Sequence, residues 1–293
     1  MKRFIKPVMA MVLAAASTVA AADDVVVGGK NFTEQQLLAS MTAQYLDGLG
    51  YDVDKRAGMG SAVLRQAQEN GQIDLYWEYT GTSLINYNDI TERLSPEETY
   101  STVKELDGEK GLVWLEPSDA NNTYALAMRE DDAAERGIET ISDLAAAVND
   151  SDDLTFACNA EFYAREDGLR PLQQEYDFRF ARPQIKRMDS GLVYPALRDG
   201  QVEVGLVFAT DGRIQAFNFR VLEDDKGYFP AYALTPVVRQ ETLDANPELA
   251  AQMNQLSALL NDDTMAGLNA QVDVEKQTIE KVAESFLKEN NLL

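Results

Sequence analysis

The chain has 293 residues, with 26 Lys+Arg against 49 Asp+Glu, no His and one Cys, for a formal net charge of −23. Without His there is no Ser-His-Asp or Cys-His nucleophile and no His-ligated zinc; with Cys158 alone there is no internal disulfide and no thiolate metal cluster. The acidic balance argues against nucleic acid and anionic membrane surfaces as partners. Residues 1–22 open with Lys2, Arg3 and Lys6. They continue through an apolar run over 8–19 and end in Ala20 and Ala22 at small-x-small spacing, the pattern of a cleaved secretory signal peptide. No Cys follows it, so no lipid anchor is expected. The reading is an exported, periplasmic chain beginning near Asp23, with no membrane insertion after processing.

From there strand and helix signals alternate. Residues 25–28 form a β-branched run ending in Gly28-Gly29. Thr33 and Gln36 have capping-box spacing, and Leu37, Leu38, Met41, Tyr45 and Leu46 recur at helical spacing up to Gly48 and Gly50. Strands are predicted over 51–56 and 73–76, with a helix over 61–70 between them. Ser95-Pro96 opens a further helix. Strands follow over 112–115, 124–128, 154–157, 202–208 and 232–238. Helices are predicted over 142–148, 247–260 and 274–288. This βαβα order implies an α/β protein with largely parallel sheets. Two architectures suit its size: one large enzyme sheet, or two α/β lobes joined by crossing strands around a cleft. Ligands in such folds bind at strand carboxyl ends and helix N-termini.

Five strand-to-helix or turn segments carry site chemistry. Gly28-Gly29-Lys30 offers close backbone approach and a cation before a helix N-terminus, a carboxylate site in outline. Trp77-Glu78-Tyr79-Thr80-Gly81-Thr82, Asn121-Asn122-Thr123-Tyr124, Phe208-Ala209-Thr210-Asp211-Gly212 and Phe229-Pro230-Ala231-Tyr232 each set an aromatic beside polar or turn residues. Read singly, each also fits ordinary core packing. An exported hydrolase using paired carboxylates is an alternative reading, with Glu78 its best candidate among many acids.

Lys30-Asn31-Phe32-Thr33-Glu34-Gln35, Glu78-Tyr79-Thr80-Gly81-Thr82, Asn121-Asn122-Thr123-Tyr124-Ala125-Leu126, Thr210-Asp211-Gly212-Arg213 and Leu222-Glu223-Asp224-Asp225-Lys226 together resemble one family. It comprises the substrate-binding proteins of ABC transporters for glycine betaine, choline and related quaternary-ammonium osmoprotectants. The resemblance implies the type II periplasmic-binding-protein fold, two lobes whose hinge is a pair of crossover strands. Lobe one would be 23–126 plus 231–293 and lobe two 127–230. It further implies a ligand cage of Tyr79, Tyr124, Phe208 and Tyr232. Lys30 and Arg165 would hold the ligand carboxylate, Thr82 would supply a hydroxyl, and Asn122 would turn its backbone carbonyl to the methyl groups. Phe208 stands where the family carries Tyr and so lacks a hydroxyl. The implied function is capture of a betaine, glycine betaine first, and its delivery to an ABC permease by a monomer needing no enzyme activity, cofactor or metal. Choline, an amino acid or another organic acid are alternative ligands. A quaternary ammonium has no N–H to donate, so aromatic faces are the recognition it permits.

Overall fold

The computed structural model describes residues 24–150 and 154–293. The signal-peptide reading over 1–22 lies outside them. Among the described residues ten strands are formed: β1 Asp24–Lys30, β2 Asp52–Met59, β3 Leu75–Tyr79, β4 Leu112–Trp114, β5 Tyr124–Arg129, β6 Phe156–Cys158, β7 Ile185–Arg187, β8 Val204–Phe208, β9 Phe219–Val221 and β10 Leu234–Arg239. They make two five-stranded sheets, ordered β2-β1-β3-β10-β4 and β7-β6-β8-β5-β9. The first sheet takes strands from both ends of the chain, the second only from its middle. This is the two-lobed α/β fold that the sequence implies.

Burial follows position in the sheet. β3 is buried at every residue, as a central strand must be, while β2 exposes most of Asp-Val-Asp-Lys-Arg at the sheet edge. Charged residues there blunt pairing with other chains. Helices pack against both sheets. Helix Thr33–Gly48 packs against β1 and the closing helix Ile279–Glu289. The glycine pair of β1 serves this packing. A Cβ on Gly29 would lie 2.9 Å from both the Ala39 Cβ and the Gln35 carbonyl, and one on Gly28 would lie 2.6 Å from Leu64. The close backbone approach is therefore to two helices, where the sequence reading placed a ligand.

The expectation of largely parallel sheets needs correction. β1 pairs in parallel with β2 and β3, and β6 with β7 and β8. β10 runs antiparallel to β3 and β4, and β5 antiparallel to β8 and β9. The antiparallel members are the two strands that enter directly from a crossing between lobes, so they arrive against the local βαβ direction. The crossing segments pair with each other. Ser118 N–H donates to the Leu234 carbonyl, Leu234 N–H to Ala120, and Asn122 N–H to Tyr232 at 2.9, 2.9 and 3.2 Å.

Other differences are local. Thr33 is the first helical residue rather than the cap; Phe32 holds the cap position without a side-chain bond, and the Thr33 hydroxyl instead donates to Asp273 at 2.9 Å. The predicted helix over 247–260 is Leu249–Ser257, and that over 274–288 begins later, as Ile279–Glu289 capped by Thr278. Helix Asp262–Asp273, capped by Asn261, was not foreseen. Cys158 is fully buried at the end of β6.

Candidate functional site

A cavity of about 1310 Å³ opens between the two sheets, and all eight residues singled out from the sequence line it. Their positions follow from the topology. Lys30 ends β1, Tyr79 ends β3 and Phe208 ends β8, at strand carboxyl ends. Asn122, Tyr124 and Tyr232 come from the crossing segments. Thr82 lies in helix Thr80–Asn86 and Arg165 follows helix Ala160–Ala164. Gly81 permits this convergence: a Cβ there would meet the Ala231 carbonyl at 2.7 Å and the Tyr232 ring at 3.0 Å.

The aromatic residues form a continuous arc. Ring centroids run Tyr79–Phe32 at 6.3 Å, Phe32–Phe208 at 5.1 Å, Phe208–Tyr124 at 5.4 Å and Tyr124–Tyr232 at 5.5 Å. Phe32 is a member the sequence reading missed. Its signal was available: a large aromatic between Lys30 and a helix start has no apolar period to satisfy. Cations flank the arc, with Lys30 Nζ 4.9 Å from the Tyr79 centroid and Arg165 Cζ 5.3 Å from that of Tyr124.

Both cations are already paired. The buried Lys30 ammonium bonds Glu78, whose carboxylate also accepts from Tyr76 OH and Tyr79 N–H, each at 2.8 Å. Burial pushes the Lys30 amine below its ordinary range, against the opposing pull of Glu78. Arg165 binds Asp167 bidentately, Nε and Nη2 each at 2.6 Å, and its Nη2 also reaches Thr82 Oγ1 at 3.2 Å. Asp167 accepts from Tyr232 OH at 2.6 Å and from Asn86 at 3.2 Å. Burial works against the Asp167 charge, but Arg165 outweighs it and holds the carboxyl below the usual carboxylate range. Each pair fixes its cation and leaves donors over. Among the described residues Lys30 Nζ makes one hydrogen bond of a possible three, and Arg165 Nη1 makes none.

Two further acids were not foreseen. Glu34 is buried behind the arc and accepts from Tyr79 OH and Asn122 Nδ2, each at 2.7 Å. Thr210 Oγ1 and Asn269 Nδ2 donate to its other oxygen at 2.5 and 3.1 Å. Burial raises its pKa against the lowering effect of these four donors. Asn122 thus spends its side-chain amide on Glu34, while its backbone N–H donates to Tyr232. Glu161 reaches across the cleft to helix Ser61–Glu69, accepting from Ser61 N–H at 2.9 Å and Ser61 Oγ at 2.8 Å. The N-cap residue of that helix is Gly60, which has no side chain, so Glu161 supplies the acceptor the cap lacks. Among the described residues no group of three His, Cys, Asp or Glu is placed to hold a metal ion.

The arrangement provides aromatic faces for a diffuse cation and N–H donors for an anion, with no nucleophile-base pair in view. Residues 23–289 match the family described as the substrate-binding domain of ABC-type glycine betaine transport systems. Its members are extracytoplasmic binding proteins of importers, not enzymes. A glycine-betaine-binding protein of Pseudomonas aeruginosa is 48% identical over 273 residues, covering 91% of this chain and 88% of that one. The glycine betaine-binding protein YehZ of Escherichia coli is 31% identical over 290 residues, 96% of this chain and 95% of that one. Its apo structure superposes with a TM-score of 0.68, covering 93% of this chain and 100% of that one. A crystal structure of a glycine betaine/carnitine/choline ABC transporter protein, 28% identical, superposes with a TM-score of 0.74 over 92% of this chain and 99% of that one. No helix of the described residues is long and apolar enough to cross a membrane. The chain belongs to the family of substrate-binding domains of ABC-type glycine betaine transport systems.

Proposed function

We propose that this protein captures a betaine-type quaternary-ammonium compound, glycine betaine first, and delivers it to a membrane ABC permease. The carrying observation is the arc of five rings with a paired cation at two of them, all lining one cavity. In this reading Tyr79, Tyr124, Phe208 and Tyr232, joined by Phe32, face the trimethylammonium group. Spare N–H groups of Lys30 and Arg165 and the Thr82 hydroxyl take the carboxylate. Asn122 holds the crossing in register behind them. Aromatic faces attract such a cation by about 0.5–2 kcal/mol each when desolvated. The names of the relatives and their identity support the ligand class.

The lobes in this reading are 23–126 plus 231–293 and 127–230, closing by a hinge at the crossings. The protein acts as a periplasmic monomer released from a signal peptide over 1–22. Choline is the second reading, favoured by one observation: Lys30 and Arg165 already carry carboxylates of their own. Calorimetric titration with glycine betaine, proline betaine, carnitine, choline and amino acids decides. Submillimolar binding of a betaine is the expected result. Binding of an amino acid with no quaternary ammonium bound refutes the proposal.

A further inference from the structure

Glu34 differs from the other buried acids around the cleft, and half-buried Glu161 at the mouth has, among the described residues, Ser61 alone. Glu78 has Lys30 and Asp167 has Arg165. The Glu34 carboxylate accepts four hydrogen bonds, all from neutral groups, and among the described residues no Lys or Arg pairs with it. A buried charge without a counter-charge is among the costliest features a protein carries. Its placement says what offsets that cost. Glu34 lies directly behind Tyr79, whose phenol ends on it, and it shares a small adjoining cavity with Phe32 and Phe208.

Two consequences follow for a group held by the rings. A phenol donating to a carboxylate is polarised, which enriches its ring face. The carboxylate itself attracts a cation through a medium of low dielectric. Neither effect acts on an uncharged group of equal size.

We infer that Glu34, acting through the Tyr79 phenol, is the specificity-determining residue that makes this cage prefer a permanently cationic headgroup to an uncharged one of the same shape. The inference rests on the quaternary-ammonium reading above. A merely structural Glu34 would instead tie helix Thr33–Gly48 to Asn122, Thr210 and Asn269. Its loss would then weaken every ligand alike.

The test compares glycine betaine with 3,3-dimethylbutanoate, in which carbon replaces the quaternary nitrogen. Dissociation constants are measured by calorimetry, with displacement of bound betaine for the weaker ligand. The proteins are the wild type, Glu34→Gln and Tyr79→Phe, with thermal unfolding as the check on folding. The ratio of the two constants is expected to fall about tenfold in Glu34→Gln and about threefold in Tyr79→Phe. Should Glu34→Gln fail to fold, Tyr79→Phe decides alone, since it removes one hydroxyl and keeps the ring. An unchanged ratio in the folded variants, with both ligands weakened equally, overturns the inference and leaves the ligand class standing. A wild type that binds no quaternary ammonium overturns both.

Discussion

Tyr124 is the ring whose removal tests the cage most directly. It is buried within the arc between Phe208 and Tyr232, with centroids 5.4 and 5.5 Å away, and Phe162 lies 5.1 Å away behind it. Tyr124→Leu keeps apolar bulk and removes the π face. A desolvated cation–aromatic contact contributes up to about 2 kcal/mol, so the dissociation constant for glycine betaine should rise about 30-fold. Lost ring contacts also lower stability by about 2 kcal/mol, which makes unfolding measurements a necessary companion. The assay is calorimetric titration at a temperature where the variant is folded. Tyr100→Leu is the control. Its ring packs in a separate cluster and its hydroxyl donates to the Leu115 carbonyl at 2.7 Å, so it should lose stability and keep affinity. A folded Tyr124→Leu protein binding within about threefold of wild type would refute the cage, because a cation–face contact of even 1 kcal/mol exceeds that.

The remaining predictions concern closure, acid stability and the thiol. Glu161→Ala removes two charge-assisted hydrogen bonds across the cleft mouth; with Glu161 half-buried, about 1–2 kcal/mol should be lost from the closed form, weakening betaine about 5- to 30-fold and lowering the fraction of compact molecules in solution scattering. Asp107 accepts from Arg65 at 2.6 and 2.8 Å, Ser83 at 2.7 Å and Trp114 at 2.8 Å; burial opposes its charge, but Arg65 and the hydrogen bonds outweigh it and pull the carboxyl down to about 2. The folded value lies below the unfolded one, so this stabilisation is complete above about pH 4 and is lost as pH falls towards 2, about 2 kcal/mol in denaturant titrations, and Asp107→Asn should flatten that part of the profile. Burial pushes the Cys158 thiol up to about 12, so iodoacetamide at pH 8 should label it only after unfolding.

What could be read from the sequence depended on how local the signal was. β1, β3, β5 and β8 are apolar runs bounded by turn residues, and their ends carry Lys30, Tyr79, Tyr124 and Phe208. Those positions were legible because a strand end beside turn or helix-start residues is a local pattern, whether at the carboxyl end, as for Lys30, Tyr79 and Phe208, or at the start, as for Tyr124. Pairing was not local. Nothing in residues 124–129 or 234–239 indicates that they join their sheets antiparallel, because that follows from where the chain crosses. The partners of the cations were also hidden. Glu78 is one of 49 acids, and only the folded chain brings it to Lys30, as it brings Glu161 to Ser61; Asp167, two residues from Arg165, is near in sequence but unmarked there. Glu34 misled most. An acid in the first turn of a helix is ordinarily solvated and favourable there, yet this one is buried beneath four donors.

The pairing of the two cations bears on how such a site can both close and discriminate. A free ammonium and a free guanidinium in a cleft that shuts would each lose their water, at a cost of several kcal/mol apiece. Glu78 and Asp167 replace that water before any ligand arrives, and they also hold the phenols of Tyr76 and Tyr232 in place. The cations then act as fixed N–H donors rather than as net charge. Lys30 with Glu78 and Arg165 with Asp167 form two formally neutral pairs at the anion-binding end of the cleft. Glu34 adds a buried carboxylate with no cationic partner among the described residues, on the side of the rings. A zwitterion with a diffuse cationic head fits that division: its carboxylate needs donors but no net positive field, and its methylated nitrogen needs faces and a net negative one. An ordinary amino acid fits less well, since its ammonium N–H groups would sit against rings that accept hydrogen bonds poorly. The acidic surface of the chain contributes little to this choice, because exposed charges beyond about 8–10 Å are screened at physiological ionic strength. In the proposed reading, selectivity in this cleft therefore resides in one buried carboxylate and five rings, and not in the net charge of −23.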